Sequence, residues 1–295
     1  MCELRFRVPP TLVRRFAELT GDWSSLHTDP SFGSGSMYGR NIVHGFLQVV
    51  FLAGLDLQFA VSPESVDLKR LTIRFAKPVF PGDDLVLQVT HLPATPPATG
   101  VEADFSIREE VSGLVTTMGS VALDRGTAHG PVRRTVEGEA ARPSMLVDPL
   151  TEAAPLFDGI ARLQVARVRY RVTEAHARAF YDMIGEGLSE PQAPDFATWL
   201  TRRRPSNLLA STMCSTLVGM SLPGRYAVLT DASISFSATT EFDREYELTG
   251  SVAFKTASTW TVVATVVVRD SSLDSQVASG RVGSQFDIEH SRKQG

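Results

Sequence analysis

An acid and an imidazole stand close together near the start of this 295-residue chain. Asp22 follows Gly21, and His27 comes five residues later on the same glycine-led loop. An acid and an imidazole that share one water provide the proton transfers needed to add water to a double bond. Gly45, at the start of an apolar segment after His44, can offer its backbone N–H to a developing oxyanion. These residues predict acid–base chemistry that needs neither a metal nor a redox cofactor.

The residues around this pair match a known pattern. Residues 16–29 and 42–46 resemble the signature of the MaoC-like, or (R)-specific enoyl-CoA hydratase, family, whose loop reads Gly-Asp-x-Asn-Pro-x-His-x-Asp. This chain has Ser24-Ser25 where the family has Asn-Pro. Serine still donates and accepts hydrogen bonds, whereas the loss of proline makes the loop less rigid.

The resemblance implies a substrate and a mechanism. A 2-enoyl thioester would lie between two halves of the protein, carried by coenzyme A or by the phosphopantetheine of an acyl carrier protein. Asp22 and His27 would hold the water that attacks C3, and the Gly45 amide would stabilise charge on the thioester oxygen. No cofactor is implied beyond the handle of the substrate itself. The sequence leaves open which of the two side chains takes and which gives each proton.

Further residues near the pair are candidates for the substrate site. The predicted substrate-binding residues are Ser24, Tyr38, Arg40, Asn41, His44 and Phe46. Each also has a purely structural interpretation: Ser24 as a turn serine, His44 as the residue that fixes the helix start, and Phe46 as a core aromatic. Asp29 is expected to cap the loop.

The chain repeats itself weakly. Residues 6–21 match residues 170–185, so that Phe16 corresponds to Phe180 at an offset of 164 residues. A second match pairs residues 71–75 with residues 232–236, at an offset of 161. Two matched blocks in the same order indicate duplication. The second half has lost the acid–imidazole pattern, since Glu186 stands where Asp22 would be.

Each half predicts the same elements. A long apolar helix precedes four strands of alternating polarity; it runs from Val43 to Phe59 in the first half and from Asn207 to Ser221 in the second. In the first half a turn is predicted at residues 80–85. A helix covering an antiparallel sheet is the hot-dog arrangement, so the predicted fold class is an α+β double hot-dog. The predicted boundaries are a catalytic unit at 1–124, a linker at 125–161, a degenerate repeat at 162–287 and a tail at 288–295.

Composition limits the function classes. The net charge of −4 gives no reason to expect nucleic acid, and the two cysteines do not have metal-ligand spacing. Two cysteines cannot form a disulfide framework, which fits a reducing cytosol, and the sequence shows neither a signal peptide nor a membrane span, so a cytoplasmic protein is expected. The expected oligomeric state is a monomer or a homodimer.

Three alternatives keep the fold and change the function. A cyclase would use the same pair to add an internal hydroxyl to an enoyl thioester. A thioesterase would use a carboxylate on the central helix, where Asp56 is available. A protein that binds acyl thioesters without turnover would account for the Ser24-Ser25 change.

Overall fold

The structure is a computed structural model. It describes residues 2–54, 66–90, 100–125, 157–189, 196, 200 and 206–287. Most of the predicted linker and the whole predicted tail lie outside the described residues. The domain boundaries inferred from the sequence therefore stay predictions.

The described residues of the first half form short helices and five strands. They are β1 (Cys2–Arg7), α1 (Pro10–Thr20), α2 (Ser25–Thr28), α3 (Pro30–Gly35), α4 (Gly45–Val49), a 3-10 helix (Val50–Gly54), β2 (Val66–Phe75), β3 (Asp84–Thr90), β4 (Val101–Glu109) and β5 (Val115–Arg125). The described part of the second half has a 3-10 turn (Phe157–Gly159), β6 (Val165–Arg171), α5 (Glu174–Gly187), α6 (Ser206–Met220), β7 (Ala227–Phe236), β8 (Glu245–Thr256), β9 (Thr261–Asp270) and β10 (Ser275–Phe286).

The ten strands form one antiparallel sheet. Their order is β1-β3-β4-β5-β2-β7-β10-β9-β8-β6, so each half contributes five strands in the same internal order. The halves join where β2 pairs with β7, and Thr72 lies opposite Ser233 in that register. These two residues are 161 apart, the offset of the second repeat. A pseudo-twofold axis therefore passes between them, and the predicted double hot-dog arrangement is confirmed.

Alternation along the strands explains how the sheet covers its helices. Strand β6 alternates exposed and buried residues along its whole length, so one face turns inward. Helix α6 lies against this inner face and is buried from Ser206 to Gly219. The helix therefore lies in the core, and polar side chains such as Ser211 are hydrogen-bonded there.

The first central helix differs from its prediction. Val43 is extended rather than helical, because its amide donates to the carbonyl oxygen of Val79 at 2.8 Å. The helix begins at Gly45 and tightens to 3-10 geometry at Val50. Two consecutive β-branched residues, Val49 and Val50, stand at this change and are weak helix formers. The second central helix agrees with its predicted bounds to within one residue.

The turn predicted at residues 80–85 is confirmed. Gly82 has a φ of 102°, which glycine adopts without steric cost, and its amide donates to the carbonyl of Val8. The amide of Phe80 donates to the Asp83 carboxylate at 2.8 Å. In the described part of the chain, no helix has the length and apolar character needed to cross a membrane.

Candidate active site

Asp22 is placed by the end of helix α1. Gly21 ends this helix in the left-handed region, with a φ of 75°, and its amide donates to the Ala17 carbonyl. This is the usual glycine-terminated helix end, and it turns the chain sharply inward. The Asp22 side chain is consequently almost fully buried, at 1% exposure.

The Asp22 carboxylate is held by residues from both halves. The Ser215 hydroxyl, on helix α6, donates to Asp22 Oδ2 at 2.6 Å. The Ser24 amide lies 3.3 Å from Oδ1. Burial raises the pKa of Asp22 above its ordinary value, although His27, Ser215 and Ser24 oppose the shift.

His27 lies on the short helix α2 and is only partly buried. Its Nδ1 is 2.9 Å from the carbonyl oxygen of Ile42. A carbonyl only accepts, so this contact assigns the proton to Nδ1 and leaves the Nε2 lone pair available. Burial lowers the pKa of His27, while the charge of Asp22 and the Ile42 contact raise it.

His44 completes a cluster of three ionisable side chains. A carboxylate oxygen of Asp22 and one ring nitrogen each of His27 and His44 all lie within 4.8 Å of one another. The rings of His27 and His44 are in contact, with centroids 3.9 Å apart and planes tilted by 32°. That the site works without a metal stays a prediction.

Gly45 begins helix α4 directly after His44. The first N–H groups of a helix have no partner inside it and can bind an anion. A Cβ at position 45 would lie 2.8 Å from the Phe75 ring, so glycine is required for this packing. Gly45 therefore offers a backbone N–H at the start of the helix and allows the chain to pack closely against Phe75.

The other predicted substrate-binding residues are distributed unevenly around the cluster. Ser24 is buried, and its hydroxyl has no hydrogen-bond partner within the described residues. Asn41 donates to the carbonyl oxygens of Leu26 and Asp29, so it braces the loop that carries His27. Phe46 is fully buried in the core.

Tyr38 and Arg40 lie on the turn before Gly45. Tyr38 is partly buried, whereas Arg40 is exposed and places its guanidinium 3.6 Å from the centroid of the Phe80 ring. These contacts do not bring Arg40 to the acid–imidazole cluster. The expected cap is confirmed: the Asp29 carboxylate accepts from the Ser31 amide at the start of helix α3. Asp56, on which the thioesterase alternative depends, lies outside the described residues.

Two residues of the second half were not anticipated from the sequence. Ser215 bonds to Asp22. A Cβ at Gly219 would lie 2.5 Å from Asp22 Oδ1 and 3.1 Å from Ser24 Cβ. The only available signal was a small or hydroxyl residue on an apolar helix, which alone does not indicate a contact with the distant loop.

The corresponding place in the second half is occupied differently. Glu186, the counterpart of Asp22, bonds to Arg15 and Thr11 on helix α1. Phe51 stacks on Phe6 with ring centroids 4.1 Å apart and packs closely against Gly187. An outward acid and a packed aromatic replace the acid–imidazole cluster.

Comparison with known proteins gives a consistent result. The family model described as MaoC like domain matches residues 3–98. The (R)-specific enoyl-CoA hydratase of Aeromonas caviae is 31% identical over 111 residues, which cover 38% of this chain and 77% of that enzyme. The peroxisomal multifunctional enzyme type 2 of Mus musculus is 40% identical over 86 residues, which cover 26% of this chain but only 12% of the mouse enzyme.

A solved structure extends the likeness of fold to both halves. A conserved hypothetical protein from Mycobacterium tuberculosis, described as having a double hot-dog fold, superimposes with a TM-score of 0.62 at 13% identity. The match covers 95% of this chain and 93% of that one. At this identity the likeness concerns the fold alone.

Proposed function

This chain belongs to the MaoC-like family of hydratases and dehydratases, and we propose that it reversibly adds water to a 2-enoyl thioester. One observation carries the proposal: a carboxylate oxygen of Asp22 and a ring nitrogen of His27 lie within 4.8 Å of each other, and a helix starts at Gly45, directly after His44 of the same cluster. Two hydrogen bonds of about 2.8 Å can span that distance through a single water.

The proposed reaction moves two protons and one electron pair. The water oxygen bonds to C3 as one of its protons passes to Asp22 or His27, and the other member of the pair gives a proton to C2. The electron pair of the double bond moves first toward the thioester oxygen, which the Gly45 amide would face. Dehydration of a 3-hydroxyacyl thioester is the reverse.

The environments of the two side chains suit these transfers. Burial raises the pKa of Asp22 and lowers the pKa of His27. The two values therefore move toward each other, which reduces the free-energy cost of passing a proton to one group and taking it from the other. The available Nε2 lone pair of His27 makes it suited to accept a proton from the water.

The same proposal includes the group that carries the acyl chain of the substrate. Tyr38 and Arg40 lie on the turn before Gly45, and their proposed role is to contact the coenzyme A or the phosphopantetheine of an acyl carrier protein. We propose no metal and no redox cofactor. Cytoplasmic location and a monomeric or homodimeric state stay predictions from the sequence.

The test is turnover of crotonyl-CoA and longer enoyl-CoAs, followed by loss of the enoyl absorbance. Asp22→Asn and His27→Ala should each lower kcat by about 100-fold or more, since general acid–base groups contribute on the order of 10²–10⁴. Glu186→Gln, which alters the counterpart acid in the second half, is the matched control and should keep the wild-type rate.

Each other outcome identifies a different function. Release of free thiol would indicate a thioesterase, and binding without turnover would indicate a non-catalytic acyl-thioester protein. Hydration that proceeds at an unchanged rate in Asp22→Asn would overturn the proposed mechanism.

A further inference from the structure

His44 is fully buried against two other rings. Its side chain has no solvent exposure. The His27 ring lies at a centroid distance of 3.9 Å and the Phe16 ring at 4.9 Å, both tilted relative to the His44 ring. A side chain buried in this way leaves little surface for a substrate atom.

The edge of the His44 ring holds the backbone of the acid. Nε2 lies 3.0 Å from the carbonyl oxygen of Asp22 and 3.9 Å from its Oδ2 atom. The carbonyl can only accept, so the contact assigns the His44 proton to Nε2. Nδ1 then carries the lone pair, and it has no hydrogen-bond partner among the residues that the structure describes.

His44 also stays uncharged beside a group that takes up a proton. Burial, and then the charge of His27, hold the pKa of His44 well below its usual value. The titratable groups around it are Asp22 and His27 on the preceding loop, while Phe16 on helix α1 is apolar. A neutral ring can therefore remain in contact with His27 whether or not His27 carries a proton.

We propose that His44 is a positioning residue that fixes the Asp22 carbonyl through Nε2–H and the His27 ring through direct ring contact. Because His44 directly precedes Gly45, one side chain links the acid, the base and the amide into a single preorganised unit. The inference rests on the proposed hydratase function and differs from the earlier expectation that His44 contacts substrate.

Two variants separate the two contacts. His44→Gln keeps a donor that can reach the Asp22 carbonyl but loses the ring that contacts His27, and His44→Phe keeps a ring but loses the donor. Each should lower kcat by about tenfold to a hundredfold while KM stays within about threefold, since small misplacement of catalytic groups costs rates of this order. His176→Gln is the matched control, because glutamine at this helix position preserves the capping arrangement with Thr173.

A purely structural role would give a different pattern. It would lower the melting temperature and the amount of folded protein, with kcat per folded molecule unchanged. If both His44 variants keep kcat within threefold of the wild type, the proposal is wrong. An equal rise of KM with kcat unchanged would instead assign His44 to substrate binding and would also overturn it.

A second measurement does not depend on turnover. Long-range proton–nitrogen spectra of histidine-labelled protein should show His44 protonated at Nε2 only, and His44→Phe should shift the His27 signals more than His176→Gln does. Protonation of His44 at Nδ1, or unchanged His27 signals, would contradict the proposal. If the wild type hydrates no thioester, the proposed function fails, and these spectra still decide whether His44 positions the cluster.

Discussion

The Asp22 carboxyl is buried, and Ser215, which bonds to it, comes from the other half of the chain. Ser215 donates to Asp22 Oδ2 at 2.6 Å, and this bond opposes the rise in the pKa of Asp22 that burial causes. A hydrogen bond to a charged group contributes about 1.5–3 kcal/mol. Ser215 therefore tunes the acid even though it stands 193 residues away.

Replacing Ser215 with alanine tests this role. We expect kcat to fall by about tenfold to a hundredfold, and the limb of the pH–rate profile that Asp22→Asn removes should shift to higher pH. Ser211→Ala is the control, because the buried Ser211 hydroxyl bonds to the Leu208 carbonyl of its own helix. An unchanged rate and an unchanged limb in Ser215→Ala would show that Ser215 does not tune Asp22.

The histidine pair predicts how stability depends on pH. Burial lowers the pKa of both His27 and His44 in the folded state, so below about pH 6.5 the unfolded chain binds protons that the folded chain does not. The free energy of unfolding therefore decreases as the pH falls from 6.5 toward the pKa values of the two histidines in the folded protein. The decrease is up to about 1.4 kcal/mol per pH unit for each histidine. Asp22, with a raised pKa, acts in the opposite direction.

Denaturant unfolding at several pH values between 7.5 and 5.5 measures this slope. The wild type should lose stability on acidification, and His44→Gln should lose less across the same interval even if it is less stable at neutral pH. An equal slope in the two proteins would contradict the burial of a neutral His44.

At the scale of elements, helix α6 acts as the support for the catalytic loop. The Thr216 hydroxyl donates to the Thr20 carbonyl at 3.0 Å, just before the loop begins. One turn later, the absence of a side chain at Gly219 lets Asp22 and Ser24 approach the helix. The loop is thus held by its own half at Asn41 and by the other half at α6.

Gly219→Ala tests this close approach. The added Cβ would lie 2.5 Å from Asp22 Oδ1, so the carboxylate must move, and we expect a loss of activity of about 100-fold with the fold retained. Gly185→Ala on helix α5 is the matched control, since a Cβ there meets nothing within 4 Å. The control should keep full activity and gain up to about 1 kcal/mol of stability. Full activity in Gly219→Ala would show that α6 does not constrain Asp22.

Within the part of the chain that the structure describes, the pseudo-twofold arrangement contains one acid–imidazole site rather than two. The axis passes between Thr72 and Ser233, so each half presents a comparable position to the central helix of the other. In the first half that position holds the Asp22 cluster. In the second, the paired Glu186 and the packed Phe51 occupy it.

This asymmetry predicts the binding stoichiometry. Calorimetric titration of Asp22→Asn with an enoyl-CoA that the wild type turns over should give one ligand per chain. Two equivalent ligands per chain would show that the second half keeps a functional site.

Features that depend on residues close together in the sequence, or on the internal repeat, were predicted from the sequence. Asp22, His27 and Gly45 stand close together in a matching pattern, and the repeat predicted two sheets of like topology. The change to 3-10 geometry at Val50 was missed, because an apolar run has the same composition in either helix. The contacts of Ser215 and Gly219 were also missed, because they join residues about 190 positions apart and depend on how the halves pack.

In the proposed reaction, one acid–base cluster handles both protons. This is tested by hydration of crotonyl-CoA in D₂O, analysed by proton NMR of the 3-hydroxybutyryl product. Because Asp22 and His27 are close enough to share one water, the hydroxyl at C3 and the deuterium at C2 should be added to the same face of the double bond. Addition to opposite faces, or deuterium at C2 without facial preference, would contradict a single cluster acting through one water.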